Sequence, residues 1–218
     1  MDINDEAVFR LSRPRLQDAA RLLGRAFWSD PWEAYLFPDE SERTVLEEKY
    51  FLLTLRYSMM CGEVYTTSSL KGVAAWHFYG DKRGRLVDGE SDPRRKLQVT
   101  IGDAPFQRMI QAVTSLIESH KRIMPMPHCY LQFLGVEPGQ QGKGYGGQLI
   151  APILKYADEK GLPCYLETMK EVNMLFYDKY GFKLVQAKQL PNEGPFTWHL
   201  VRQPIKQPQV FSTSPDMR

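Results

Sequence analysis

Leu134-Gly135-Val136-Glu137-Pro138-Gly139-Gln140-Gln141-Gly142-Lys143-Gly144-Tyr145-Gly146-Gly147 is the stretch on which the reading of this chain turns. An apolar strand runs out, Pro138-Gly139 makes a turn, glycines alternate with other residues, and a helix begins. Glycine lets main-chain N–H groups approach a ligand with no side chain in the way. The N–H groups of a first helical turn have no intrahelical acceptor, and the helix dipole there favours an anion. The segment therefore reads as a cradle for phosphate, with Lys143 either adding attraction or pointing to solvent. The same residues also fit the dinucleotide turn, as Gly142-x-Gly144-x-x-Gly147 with Glu167 twenty residues further on.

Working outward, Cys129–Val136 reads as a buried strand and Gly146–Lys160 as an amphipathic helix, ended by Gly161 in the manner of a C-cap. Pro152 falls inside that helix, where some distortion is expected. Cys164–Leu166 is a strand, Asn173–Lys179 a short helix stopped at Gly181, and Phe182–Gln186 and Phe196–Val201 are strands. On the N-terminal side, Val8–Leu11 reads as a strand. Apolar residues recur at helical spacing over Leu16–Phe27, Glu42–Met60 and Phe106–His120. Ser29–Pro38 is an aromatic loop or helical turn between Pro31 and Pro38. Glu63–Thr67 and Val73–Phe78 form a hairpin. Residues 80–105, charged and rich in Gly, Asp and Arg, are expected to be an insertion loop, and residues 204–218 a flexible tail. Residues 1–203 are expected to form one domain.

A hairpin early and a β-α-β unit late predict an α/β (α+β) chain with a mixed sheet. This weighs against the dinucleotide reading. A nicotinamide or flavin fold repeats β-α units on both sides of the crevice, whereas the chain here closes on two adjacent strands.

The 218 residues suffice for a sizeable core without disulfides or metals. Net charge is +2, from 28 basic and 26 acidic residues, with no clustered basic surplus of the kind nucleic acid requires. No apolar run approaches the roughly 18 residues of a membrane span, and Met1–Phe9 does not read as a signal peptide. The three cysteines, Cys61, Cys129 and Cys164, are odd in number and far apart, which fits a reducing compartment and a cytoplasmic location. The four histidines show no metal-ligand spacing, so no metal is expected.

Two motifs carry a resemblance. Gln141-Gly142-Lys143-Gly144-Tyr145-Gly146 resembles the Q/R-x-x-G-x-G/A signature of the GNAT superfamily of acetyltransferases. Asn173, followed by Phe176-Tyr177-Asp178-Lys179-Tyr180-Gly181-Phe182, resembles that superfamily's closing element. Leu166-Glu167-Thr168 and Glu193–Trp198 are similar to its puromycin N-acetyltransferase-like members. The match is good over Cys129–Arg202, looser toward the N-terminus, and not recognisable over 80–105 and 203–218.

The resemblance implies a GNAT fold: a mixed, mostly antiparallel sheet of six to seven strands flanked by helices, with splayed fourth and fifth strands. It implies acetyl-CoA as co-substrate and a small primary amine as acceptor, joined by direct attack in a ternary complex. No nucleic acid or membrane partner is expected, and the chain would be a monomer or homodimer. The pantetheine arm would meet main-chain groups of Leu134 and Val136, and the pyrophosphate those of Gln141, Gly142, Lys143, Gly144, Tyr145, Gly146 and Gly147. Asn173 and Tyr177 would complete the coenzyme site, Asn173 alternatively serving as a helix cap. Tyr177 would protonate the leaving thiolate.

The fourth strand has no carboxylate, a departure that leaves the general base open and keeps a non-catalytic acyl-CoA-binding module as an alternative. Glu167 is the candidate base, or else a structural acceptor, with His77 and His128 behind it. Trp32, Tyr35, Phe37 and Trp198 would grip the acceptor, or pack as core, and Asp30, Glu33 and Asp39 would attract a cation or sit solvated.

Overall fold

In a computed structural model of the chain, residues 6–80 and 93–205 are described. Residues 81–92 of the expected insertion and 206–218 of the expected tail lie outside them. The element order is β1 Val8–Arg10, a 3-10 turn at Arg13–Arg15, α1 Leu16–Phe27, α2 Pro31–Leu36, α3 Glu40–Cys61, β2 Gly62–Thr67, β3 Gly72–Tyr79, α4 Pro93–Ile101 and α5 Asp103–Ile123. Then come β4 His128–Val136, α6 Tyr145–Lys160, β5 Cys164–Thr168, α7 Asn173–Asp178, β6 Lys183–Gln189 and β7 Phe196–Arg202.

Local chemistry accounts for the boundaries. The Asp30 carboxylate accepts from the Trp32 N–H at 3.0 Å, with Pro31 at the first helical position, so Ser29–Pro38 contains a true helix. Asp39 caps α3 by accepting from the Ser41 N–H at 2.9 Å. Gly161, with φ 65°, closes α6 in the left-handed conformation, and the helix runs unbroken through Pro152. The loop reading of 80–105 needs correction over its last part. Residues 93–101 form α4 and α5 begins at Asp103, before the first apolar residue of its pattern.

Seven described strands form one sheet in the order β1-β2-β3-β4-β5-β7-β6. Among them only β4 and β5 run parallel; every other neighbour pair is antiparallel. That is the mixed, mostly antiparallel sheet the resemblance implies, and it overturns the dinucleotide alternative, whose crevice needs a doubly wound parallel sheet.

Alternation along the strands assigns the faces. Val64, Val73 and Ala75 point into a core shared with α1, α2, α3 and α5. Ala74, Trp76, Leu131 and Leu166 point the other way, into a core shared with α6 and α7. Two close backbone approaches join the layers. A Cβ on Gly135 would stand 2.5 Å from Leu23 of α1. A Cβ on Gly62, where α3 passes into β2, would stand 2.0 Å from the Trp76 carbonyl oxygen.

Both partners at Gly62 are regular backbone and neither can yield. Gly62→Ala is therefore expected to destabilise the fold by roughly 2 kcal/mol or more, read from urea unfolding. A loss under about 0.5 kcal/mol would show that the α3–β2 junction adapts.

Candidate functional site

The β4–β5 ladder is short. It joins Cys129 to Cys164, Tyr130 to Tyr165 and Leu131 to Leu166, and then stops. Beyond Leu131, β4 stays on β3 up to Val136, while β5 stays on β7 through Glu167 and Thr168. The two strands diverge there, and a gap opens between them.

The divergence has a local cause. Ala75 faces Phe133 but Trp76 faces Leu131, so Gln132 is an extra residue, a bulge that bends and twists β4. Gln132 is held by the Ser58 hydroxyl, which donates to its Oε1 at 2.7 Å. Three residues on, Gly135 lets α1 settle against the bent strand.

At the mouth of this gap lies the glycine loop. Gly139, Gly142 and Gly144 have φ of 78°, 77° and 91°, a region that side-chain-bearing residues rarely adopt. A Cβ on Gly139 or Gly142 would meet nothing within 4 Å, so backbone conformation rather than crowding selects glycine there. Gly146 and Gly147 differ. Cβ atoms there would press on the rings of Phe176 and Tyr180, so these two glycines let α7 and the residues after it close on the start of α6.

Among the described residues, the main-chain N–H groups of Gln141, Gly142, Gly144 and Gly146 donate to no main-chain acceptor. The Gln141 amide donates to the Val136 carbonyl at 3.3 Å, and Lys143 reaches Gln140 at 3.1 Å. Tyr145 is buried, its hydroxyl 3.5 Å from Glu6.

Two carboxyl-bearing sides face the gap. On the α5 side of the sheet, Tyr165 donates to Glu167 at 2.9 Å, and Tyr130 bonds the same carboxyl. The Tyr165 oxygen lies 2.7 Å from His199 Nδ1; since its one proton goes to Glu167, the imidazole N–H donates here. Burial raises the Glu167 pKa to about 7, against the lowering effect of the two tyrosine bonds. Burial also lowers His199 to about 4, so its ring is neutral.

On the α6 and α7 side, Tyr177 is buried against Phe176 and Phe182. Burial, and then the charge of Asp30, raise its pKa. Asp30 is itself buried and its pKa is raised by desolvation, with Lys170 opposing. Lys170 Nζ donates to Ser29 Oγ at 3.1 Å, which ties the α1–α2 corner to the loop after β5. Asn173 is the first residue of α7 rather than its cap, and its amide donates to Thr168 Oγ1 at 2.9 Å. The element after the gap is thereby fastened to the end of β5.

The remaining predicted residues separate. Phe37 is only 1% exposed and packs on Tyr50 in the helical core, so it does not line the gap. Trp32 and Tyr35 are half-buried on α2, 6.4 Å apart, and Trp198 lies opposite Thr168 on β7. Asp39 is an exposed cap.

His128 Nδ1 lies 2.6 Å from the Met126 carbonyl, so that nitrogen carries a proton, and its Nε2 accepts from His120 at 2.6 Å. His128 is thus engaged on both sides. His77 lies between Ser58 and Cys61, its ring 6.2 Å from that of Tyr130, and burial lowers its pKa. Unread in the sequence is Glu47 of α3, which lies beside Glu33 of α2, both 1% exposed.

Comparison with known proteins places this geometry. Residues 112–182, from α5 to Phe182, match the acetyltransferase (GNAT) family model. An uncharacterized N-acetyltransferase of Schizosaccharomyces pombe is 25% identical over 194 residues, 86% of this chain and 78% of that protein. Among solved structures, a Corynebacterium glutamicum protein described as histone acetyltransferase HPA2 and related acetyltransferase superposes with a TM-score of 0.67. It has 19% identity over 94% of this chain and 99% of that one. Arylalkylamine N-acetyltransferase 2 of Aedes aegypti gives 0.62 at 14% identity, covering 92% and 99%. Polyamine N-acetyltransferase of Drosophila melanogaster gives 0.60 at 11%, covering 91% and 100%. At these identities the structures speak for the fold. The family match covers about a third of the chain, residues 112–182.

Proposed function

We propose that this chain is an acetyl-CoA-dependent N-acetyltransferase that acetylates a primary amine of a small molecule by direct attack in a ternary complex. The observation that carries the reading is the gap between β4 and β5 with unbonded main-chain donors at its mouth. A diphosphate linker suits donors of Gln141–Gly146, with the α6 dipole behind them. The open Cβ directions at Gly139 and Gly142 leave the loop uncrowded. Leu134 and Val136 would offer their main chain along the gap, and Asn173 would keep α7 in position through Thr168.

Acetyl-CoA supplies a thioester: the amine nitrogen bonds to its carbonyl carbon, the C–S bond breaks, and the thiolate leaves. Glu167 takes the proton of the incoming ammonium, directly or through one water; its pKa of about 7 suits that transfer near neutrality. Tyr177 gives its proton to the thiolate from the opposite face of the sheet, and the second proton, shed by the nitrogen as it becomes an amide, restores the phenol through water. Its raised pKa keeps the phenol protonated until it is needed. Asp30 gives the amine a negative partner beside Tyr177, and Trp32, Tyr35 and Trp198 give it aromatic walls.

The likeness to puromycin N-acetyltransferase-like members rests on Leu166–Thr168 and Glu193–Trp198 alone and fixes no acceptor. Residues 1–203 are read as one domain because all described strands share one sheet. The three cysteines are buried and unbridged, which supports a reducing compartment such as the cytoplasm.

Thiol release from acetyl-CoA with a panel of amines tests the reading, and release with no amine would leave only a coenzyme-binding module. Gly144→Glu, which sets bulk, charge and a strained φ in the cradle, is expected to abolish acetyl-CoA binding by calorimetry. Wild-type affinity in that variant would refute the cradle. Tyr177→Phe should lower kcat roughly 100-fold with coenzyme affinity unchanged; an unaltered kcat removes the phenol from the mechanism. The acid limb of the pH–rate profile should rise through about pH 7 as Glu167 loses its proton. Glu167→Gln should lose that limb together with most activity, and a limb retained in the variant assigns the base elsewhere.

A further inference from the structure

Glu167 is one end of a buried hydrogen-bond chain. Tyr165, on the same strand, donates to it at 2.9 Å, and the Tyr165 oxygen lies 2.7 Å from His199 Nδ1 on β7. Tyr165 and His199 are both fully buried. Such a chain can run in either of two directions. With His199 as the Nδ1–H tautomer, the imidazole donates to Tyr165 and Tyr165 donates to the carboxylate. With the Nε2–H tautomer, Nδ1 is an acceptor and competes with Glu167 for the one phenolic proton. The tautomer of His199 therefore decides whether the base keeps this bond.

The far side of the ring selects the tautomer. The two nitrogens of an imidazole point away from each other, so with Nδ1 turned to β5, Nε2 is turned to β6 and α5. Nε2 is buried and has no hydrogen-bond partner among the described residues. An N–H placed there would be a buried donor with no acceptor. What lies on that side is positive. Gln186, directly opposite His199 on β6, is bonded by Arg122 of α5. Lys188, opposite Thr197, reaches Ser115 Oγ of α5 at 2.8 Å. Both cations act on the His199 ring and, after burial, keep it from taking a second proton. Positive charge beside a ring nitrogen favours its lone pair over an N–H.

The chain thus runs one way, from His199 through Tyr165 to Glu167. A phenol that accepts a hydrogen bond is a stronger donor in the bond it makes. A stronger donor favours the carboxylate over the carboxylic acid, against the burial that raises Glu167. The other titratable groups around the chain do not switch near neutral pH. Tyr130 of β4 and Tyr79 of β3 are held as neutral phenols by burial. His120 of α5, stacked 4.3 Å from the Tyr165 ring, is lowered to about 3, and burial lowers His128 and His77 as well.

We propose that His199 positions the base: through Tyr165 it fixes the direction of this hydrogen-bond chain and so favours the carboxylate form of Glu167 that meets the incoming ammonium. The proposal rests on the N-acetyltransferase reading above and adds a residue to its mechanism. His199 touches no reacting atom and acts only through its neighbours.

NMR of the full chain, labelled with 15N and 13C, tests this without turnover. At pH 7 His199, identified by the signal that either His199 variant below removes, should show the Nδ1–H tautomer. An Nε2–H tautomer overturns the proposal, and this reading is made on the unaltered chain. The Glu167 carboxyl, identified through Glu167→Gln, should titrate about one pH unit higher in His199→Phe, a tenfold shift of its proton equilibrium. His199→Asn, whose amide nitrogen takes the place of Nδ1, should bring it back to within about 0.3 unit. Tyr165→Phe removes the link, and adding His199→Phe to it should move Glu167 no further. Melting curves check the fold of each variant. An unmoved Glu167 titration in His199→Phe, or equal shifts in the Phe and Asn variants, overturns the proposal. In turnover, the acid limb of kcat/KM should move with the titration while the KM for acetyl-CoA stays put. A limb that stays while the carboxyl moves takes Glu167 and His199 out of the mechanism together. Absence of turnover with every amine sinks the enzyme reading, and the NMR titration still decides what His199 does to Glu167.

Discussion

The end of the β4–β5 ladder after Leu131 and Leu166 is the constraint on which the rest of the structure depends. Main-chain N–H and C=O groups inside a protein must find partners, and a sheet normally supplies them. Here β4 keeps β3 on one edge and gives up β5 on the other for the length of Gln132–Val136. That arrangement persists only because other contacts over-determine it. The Gln132 bulge is held by Ser58, Gly135 is covered by Leu23 and Phe27, and the turn after Val136 is held by Glu137 bonded to Lys71 and Arg25. The exposed edge of β4 is therefore a built opening, and the donors of the glycine loop stand at its outer end.

Much of this was legible in the sequence, and what was legible was local. Left-handed φ at Gly139, Gly142 and Gly144 is a backbone demand that glycine meets at the position itself. The strand-to-helix turn could be read from fourteen residues without knowing their surroundings. Gly161 and the two hairpin strands followed the same logic. Residues 93–101 failed because α4 shows no clear apolar stripe; it is held by neighbouring helices, which a local pattern does not reveal. Phe37 shows a related limit: an aromatic residue in a loop-like segment reads equally as a grip or as core, and here tertiary packing buries it.

Charge was the least legible property. Asp30, Glu33, Asp39 and Glu47 are indistinguishable by type, yet Asp39 caps a helix at the surface while the other three are buried. Burial is decided by how α1, α2 and α3 cross, and no spacing rule in one segment encodes it. Histidines behaved likewise. His128 looked available as a base, and its two bonds to Met126 and His120 occupy both ring nitrogens.

The buried acids have an energetic sign that bears on why they are there. Unfolded, Glu47 and Glu167 titrate near 4.5; folded, each is raised to about 7 by burial. Between those values the folded chain binds more protons than the unfolded chain, so stability falls as pH rises through that window. Each shift is worth on the order of 1–3 kcal/mol, a large share of a typical folding free energy. Apolar replacements of similar volume would relieve the cost, as they do for many buried ionic groups. Glu167 faces the gap with its two tyrosine partners, and Glu47 has no hydrogen-bond partner among the described residues, only the charge of Arg43 opposing its burial. Glu167 therefore sits where a ligand's positive charge would recover the lost stability.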